Sequence, residues 1–257
     1  MLFASKHIIY NCSYYTLDGE NYYLLGNDKG QDIYICNQTY PKEKSLSLYI
    51  PKEQEFSINN TRPVRRKSEK YENVDVTVSV NQNLLDFYST YPTSMIGENH
   101  VSRWAMYANT SLSHEVKTQL YPMFNEVLNG QRQLEAANIL LNWVQTAFEY
   151  KYDDEIWGRD RAFFAEESLF YPYCDCEDRS ILFSRLVRDL LGLDVVLVFY
   201  PGHLACAVCF SENVKGDYIL LNDRKYIVCD PTYIGASVGM TMPDMDNATA
   251  KVILLDN

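Results

Sequence analysis

The sequence has no run of about 20 apolar residues, the length that a membrane-spanning helix requires. Its first residues, Met-Leu-Phe-Ala-Ser-Lys-His, also lack the basic region and the apolar stretch of about 7–15 residues that mark a secretory signal. We therefore expect no membrane partner, and we expect the chain as printed not to be exported.

Basic residues are scarcer than acidic ones, 23 against 34, so the net charge is −11 at pH 7. An acidic surface repels nucleic acids, so we expect no nucleic-acid partner. The basic stretch at 62–67 is expected to be a solvated loop. Hydrophobic residues make up 47% of the 257 residues, which is enough for one large core or two small ones.

Cysteine is present in an odd number, seven, in a chain longer than the small secreted domains that depend on disulfides. We therefore expect most of the thiols to be buried in apolar surroundings, and at most one or two to have a chemical role.

The chain changes character near residue 80. Residues 1–80 are rich in tyrosine and β-branched residues and predict a small antiparallel β domain, with strands at 7–10, 21–25, 32–36, 47–50 and 74–80. Residues 81–257 predict a helical segment followed by the main part of a second domain, at 130–257. The order of helices and then consecutive strands is typical of an α+β domain in which helices pack on an antiparallel sheet.

Three helices and five strands are predicted in this second part. The helices run from 113 to 129, from 134 to 148 and from 176 to Gly192, and a short helical turn is expected at 166–169. The strands are expected at 194–200, 203–210, 217–221, 225–229 and 250–254, with a hairpin turn at 222–223.

The segment from Cys174 to Ser180 lies at the entrance to the last of these helices. Asp175 is a good N-cap residue, so Cys176 would be the first helical residue, beside unpaired backbone N–H groups. This position lowers the pKa of a thiol. Glu177 and Asp178 oppose the effect, so a positively charged partner is still needed.

His203 and Asp230, together with Cys176, would make a plausible Cys–His–Asp site. His203 follows a Pro-Gly turn and opens a strand, where its imidazole can take the proton of a thiol. Asp230 ends another strand before Pro231, and a carboxylate there can orient the imidazole.

These segments resemble the transglutaminase-like superfamily of papain-like cysteine enzymes. That family has a G-x-C-x-D-x-A-like motif at the nucleophile, then a histidine that opens a strand, then an aspartate in a D-P-T-like motif. The matching segments are 174–180, 202–203 and 229–232, and the resemblance covers about 130–257. Cys174, Ser180 and Leu204 replace the usual glycine, alanine and tryptophan.

The resemblance implies a triad in which Cys176 attacks an amide carbonyl, His203 moves the proton and Asp230 orients His203. The backbone N–H of Cys176 and one upstream side chain would stabilise the oxyanion, the candidates being Gln145, Trp157 and Tyr171. We expect a cysteine-dependent hydrolase of peptide or amide bonds, acting on a protein or peptide without a cofactor. The alternatives are a protein-glutamine acyltransferase and a non-catalytic binding protein on the same fold. The oligomeric state stays open.

A metal site is the competing interpretation. Zinc-type ligands occur at 174, 176, 203, 206, 209 and 229, but strand spacing places Cys206 and Cys209 on opposite faces of a sheet. The acidic run at 153–155 lacks the alternating ligands and glycine turn of a dedicated calcium loop, so we expect an exposed loop there. We predict no metal ligands.

Overall fold

The computed structural model describes residues 14–17, 20–26, 32–36, 56–89 and 101–256, of which 14–36 and 101–102 are described by their backbone. Contacts divide the chain into two units, residues 1–57 with 89–103 and residues 58–88 with 104–257. The predicted boundary near residue 80 falls inside the second unit. The strands predicted at 7–10 and 47–50 lie outside the described residues.

The first unit contains a three-stranded antiparallel sheet, in the order β1-β2-β3. Its strands are β1 (Tyr14–Leu17), β2 (Glu20–Gly26) and β3 (Asp32–Cys36). The strands predicted at 21–25 and 32–36 are thereby confirmed. They are rich in aromatic and β-branched residues, which fit a pleated surface well.

An antiparallel pair, β4 (Val64–Lys67) and β5 (Asp75–Val78), lies near the start of the second unit. The solvated loop predicted at 62–67 is therefore wrong. Arg66 is buried, and its guanidinium donates hydrogen bonds to the carbonyl oxygens of Leu169, Phe170 and Tyr171. Burial of this cation is tolerated because the end of a helix supplies acceptors for it.

Seven helices occur among the described residues: α1 (Gln82–Ser89), α2 (Val101–Asn109), α3 (His114–Leu128), α4 (Gln133–Thr146), α5 (Asp153–Ile156), α6 (Ala165–Phe170) and α7 (Cys176–Leu191). Within that part of the chain, none of them is long and apolar enough to cross a membrane. The predicted helices correspond to α3, α4, α6 and α7. Gly192 ends α7 in a left-handed conformation, with φ of +62°.

A five-stranded antiparallel sheet is the centre of the second unit, in the order β10-β11-β9-β8-β12. Its strands are β8 (Asp194–Tyr200), β9 (His203–Cys209), β10 (Tyr218–Leu221), β11 (Arg224–Cys229) and β12 (Lys251–Leu254). Two short parallel strands, β6 (Glu149–Tyr150) and β7 (Tyr173–Cys174), precede it. All five predicted strands of the core are present. Asn222 and Asp223 both have positive φ, as a tight hairpin turn requires.

The two faces of β9 pack differently. Ala205 and Ala207 join an apolar cluster on one face, with residues of β8, β10 and β11. Cys206, on the other face, contacts Ser180 of α7. Helix α7 also packs against β8 and α4. The result is an α+β arrangement in which α7 lies across the middle of the sheet.

Candidate active site

Cys176 is the first residue of α7, and carboxylates fix the start of this helix. Asp175 is the N-cap and forms a capping box with Asp178. The buried Asp178 carboxylate accepts hydrogen bonds from the backbone N–H groups of Phe163, at 2.7 Å, and Asp175, at 3.3 Å. Cys176 is partly exposed. Cys176 therefore lies at a helix N-terminus without being fully enclosed.

His203 and Asp230 form a buried pair. Nε2 of His203 lies 2.8 Å from Oδ2 of Asp230, and the two side chains are 7% and 2% exposed. The other oxygen of Asp230 accepts hydrogen bonds from the backbone N–H groups of Thr232, at 2.9 Å, and Tyr233, at 3.2 Å. One oxygen thus shapes the loop after β11, and the other holds the imidazole.

Cys176 lies near the start of β9, the strand that His203 opens. The backbone N–H of Leu204, the residue after His203, lies near enough to the Cys176 sulfur to favour its thiolate. The thiol itself donates a hydrogen bond to Oε2 of Glu177, at 3.1 Å. No hydrogen bond joins Cys176 to His203 in the described part of the chain.

The pKa of the Cys176 thiol is raised well above its usual value. Burial is the largest cause, followed by the charges of Glu177 and Asp175, and the N–H of Leu204 opposes them. The sequence predicts the opposite direction from the helix N-terminus alone. Burial and two neighbouring carboxylates together outweigh the helix end, which carries about half an elementary charge. In this arrangement the thiol donates its hydrogen bond to Glu177 and not to His203.

Ser180 connects α7 to the strand that carries His203. Its Oγ donates a hydrogen bond to the carbonyl oxygen of Leu204, at 2.9 Å. In return, the thiol of Cys206 donates to the carbonyl oxygen of Ser180, at 3.2 Å. The helix of the nucleophile and the strand of the histidine are therefore joined by two buried hydrogen bonds.

Arg179 connects α7 to the loop of Asp230. It is buried, and it donates to the carbonyl oxygens of Gln145, at 3.2 Å, Phe148, at 2.8 Å, and Pro231, at 3.5 Å. No local sequence pattern indicates this role, because the carbonyl oxygens that accept from Arg179 belong to distant segments.

Gln145 supports the same loop from beneath. Its Nε2 donates to the carbonyl oxygens of Asp230, Tyr233 and Ala236, at 3.0, 2.9 and 3.1 Å. Since these acceptors occupy its amide protons, Gln145 is wrong as an oxyanion donor. Trp157 and Tyr171 pack edge to face with centroids 5.1 Å apart, and the choice between them stays a prediction.

Cys174 is distinguished from Cys176 by its surroundings. It is buried, and its sulfur accepts a hydrogen bond from Nε of Arg179, at 3.3 Å. Burial raises the pKa of its thiol to about 12, although Arg179 opposes the shift. Cys174 is therefore closed to solvent and poorly suited to form a thiolate.

No protein-family model matches the chain, and no curated protein matches it. Assignment of the site therefore depends on the geometry of its own residues.

Proposed function

We propose that the second unit is a papain-like domain of transglutaminase-like type and a cysteine-dependent hydrolase of peptide or amide bonds. The observation that supports this most directly is the buried His203–Asp230 pair, at the strand end that meets the first residue of α7. A structural histidine would also pair with a buried carboxylate, so it is the partly exposed thiol near the same strand end that favours a catalytic role.

The chemistry follows from the three positions. Asp230 holds the Nε2–H of His203, which leaves Nδ1 to take the proton of the Cys176 thiol. The sulfur attacks the amide carbonyl, and the backbone N–H of Cys176 stabilises the oxyanion. His203 then protonates the leaving amine as the C–N bond breaks, giving a thioester. Water deprotonated by His203 cleaves the thioester and restores the thiol.

The proposal is tested by alkylation with iodoacetamide at pH 6, followed by peptide mass mapping. Cys209 is also partly exposed and serves as the reference thiol in the same molecule. We expect Cys176 to be labelled faster than Cys209 in the wild type, and to lose this advantage in His203→Ala. Equal labelling of the two thiols, unchanged by the substitution, contradicts the enzyme proposal.

A non-catalytic binding domain is the second candidate, and one contact favours it. The Cys176 thiol donates to Glu177 and not to His203, and its pKa is raised. A thiol held in this way needs a proton acceptor before it can attack. Glu177→Gln separates the two candidates. Removal of the carboxylate accelerates His203-dependent labelling in an enzyme, whereas in a binding domain labelling is independent of His203.

Acyl transfer to an amine and hydrolysis follow the same steps until the thioester has formed, and they differ only in whether an amine or water cleaves it. Hydroxylamine captures an acyl-enzyme as a hydroxamate. The products that form from a library of peptide amides with and without hydroxylamine therefore distinguish hydrolysis from acyl transfer. We expect free acid to form without hydroxylamine. Hydroxamate without free acid would instead indicate an acyltransferase.

A further inference from the structure

Tyr200 and His203 lie side by side at the end of the hairpin that joins β8 to β9. They are directly paired across it, around the turn at Pro201 and Gly202. Their rings are nearly parallel, with an interplanar angle of 20° and centroids 6.1 Å apart. Aromatic rings favour an offset parallel arrangement at such a separation. The phenol ring therefore flanks the imidazole in an offset stack.

Tyr200 is itself held firmly in place. It is 1% exposed, and its ring belongs to the apolar cluster on one face of the sheet. Its hydroxyl donates a hydrogen bond to Oδ1 of Asn247, at 2.6 Å. Nδ2 of Asn247 donates in turn to Oγ1 of Thr241, at 2.9 Å. The segment at 241–247, which precedes β12, thus anchors the polar end of the tyrosine while the core encloses its ring.

Asp230 holds only one nitrogen of His203. A single hydrogen bond fixes the direction of the Nε2–H bond, but the ring can still tilt about that bond. In the part of the chain that the structure describes, no other side chain forms a hydrogen bond with His203. A second contact, made by a ring that packing has already fixed, restricts this tilt.

We propose that Tyr200 is a positioning residue for the imidazole of His203, and that Asn247 holds Tyr200 in place. The inference rests on the proposed hydrolase activity, in which Nδ1 of His203 takes the proton of Cys176. Asp230 follows β11 on one side of β9, and Tyr200 ends β8 on the other side. The first sets the tautomer of the ring, and the second sets its tilt. Proton transfer is sensitive to both, because it needs a short and aligned path.

A role in packing alone is the competing explanation, since Tyr200 also fills the apolar cluster. Tyr226 separates the two roles. It belongs to the same cluster and is 6% exposed, and among the described residues it makes no ring contact with His203. Both tyrosines support the core, whereas only Tyr200 flanks the imidazole. Tyr226→Leu is therefore the matched control for Tyr200→Leu.

The first measurement is the NMR spectrum of the imidazole ring protons in the full chain, with the signals of His203 assigned by His203→Ala. The ring current of Tyr200 should displace these signals in the wild type. We expect the displacement to be kept in Tyr200→Phe and Tyr226→Leu and to be lost in Tyr200→Leu. Signals of His203 that are the same in Tyr200→Leu as in the wild type overturn the proposal.

The second measurement is the rate of alkylation of Cys176 relative to Cys209. We expect Tyr200→Leu to lower this ratio by about tenfold and Tyr200→Phe to restore most of it, because phenylalanine keeps the ring. The ratio should not change in Tyr226→Leu. A loss of the same size in Tyr226→Leu would mean that packing is the cause, and it overturns the proposal.

Asn247→Ala tests the anchor without removing a core side chain, because Asn247 is only partly buried. It should lower the alkylation ratio less than Tyr200→Leu does, and a ratio equal to that of the wild type overturns the part assigned to Asn247. Labelling that is independent of His203 overturns the hydrolase proposal, and the positioning role with it. Labelling that is slowed by His203→Ala but not by Tyr200→Leu overturns the positioning role alone.

Discussion

Nε2 of His203 lies 2.8 Å from Oδ2 of Asp230, and this buried contact joins the first residue of β9 to the residue that follows β11. A carboxylate at Nε2 favours the tautomer with its proton on that nitrogen. The imidazole therefore presents Nδ1, a proton acceptor, on its opposite side. The orientation of the ring and its tautomer have the same cause.

Asp230→Asn is expected to lower kcat/KM by about 10³–10⁴-fold with little change in Tm. The amide keeps an oxygen for the N–H groups of Thr232 and Tyr233, but its NH₂ group favours the wrong tautomer of His203. The assay is turnover of a peptide amide found by the hydroxylamine screen. Asp223→Asn, in an exposed hairpin turn that asparagine tolerates, is the control. Full activity of Asp230→Asn would exclude the triad.

Ser180→Ala is expected to destabilise the fold by about 1 kcal/mol, because the buried carbonyl oxygen of Leu204 loses its donor. It should also slow the labelling of Cys176, since α7 is then held less firmly to β9. Ser184→Ala is the matched control, because its hydroxyl bonds to Ile181 within α7 and reaches no strand. Urea unfolding and alkylation rates measure both effects. Identical labelling rates in the two variants would refute the positioning role of Ser180.

Arg179→Met is expected to cost about 3 kcal/mol or more. The substitution removes a charged donor from three buried carbonyl oxygens, and each is then left without that partner. Arg159→Met, at an exposed position, should change stability by about 0.5 kcal/mol or less. Chemical unfolding gives both values. A loss for Arg179→Met as small as that of the control would show that α7 does not depend on these contacts.

Glu166→Gln is expected to stabilise the fold more at higher pH. Burial raises the pKa of Glu166, and hydrogen bonds from Ser113 only partly oppose the shift. The folded state thus binds this proton more tightly than the unfolded state, so the wild type loses stability as pH rises from the unfolded pKa, about 4.3, through the folded one.

Urea unfolding at pH 4.5 and pH 8 measures this effect, and the advantage of Glu166→Gln should be larger at pH 8. The exposed Glu126→Gln serves as the control and should show no such trend. An advantage that is independent of pH would mean that Glu166 is not the group that titrates.

Local patterns predicted much of the second unit. Ser113 caps α3, the apolar spacing of α4 faces the core, and Gly192 ends α7, because each depends on residues a few positions apart. The pairing of His203 with Asp230 was also predictable, from a motif order. The buried position of Arg66 was not predictable, because the three carbonyl oxygens that accept its hydrogen bonds lie more than a hundred residues away in the sequence. The contact of Cys176 with Glu177 depends on side-chain conformation, which periodicity does not specify.

Glu177 and Leu204 both contact the Cys176 sulfur, Glu177 as acceptor of the thiol proton and Leu204 through its backbone N–H. The thiol must leave Glu177 before its sulfur can form a covalent bond. The rate at which Cys176 is alkylated therefore reports how often this contact opens as well as how reactive the sulfur is.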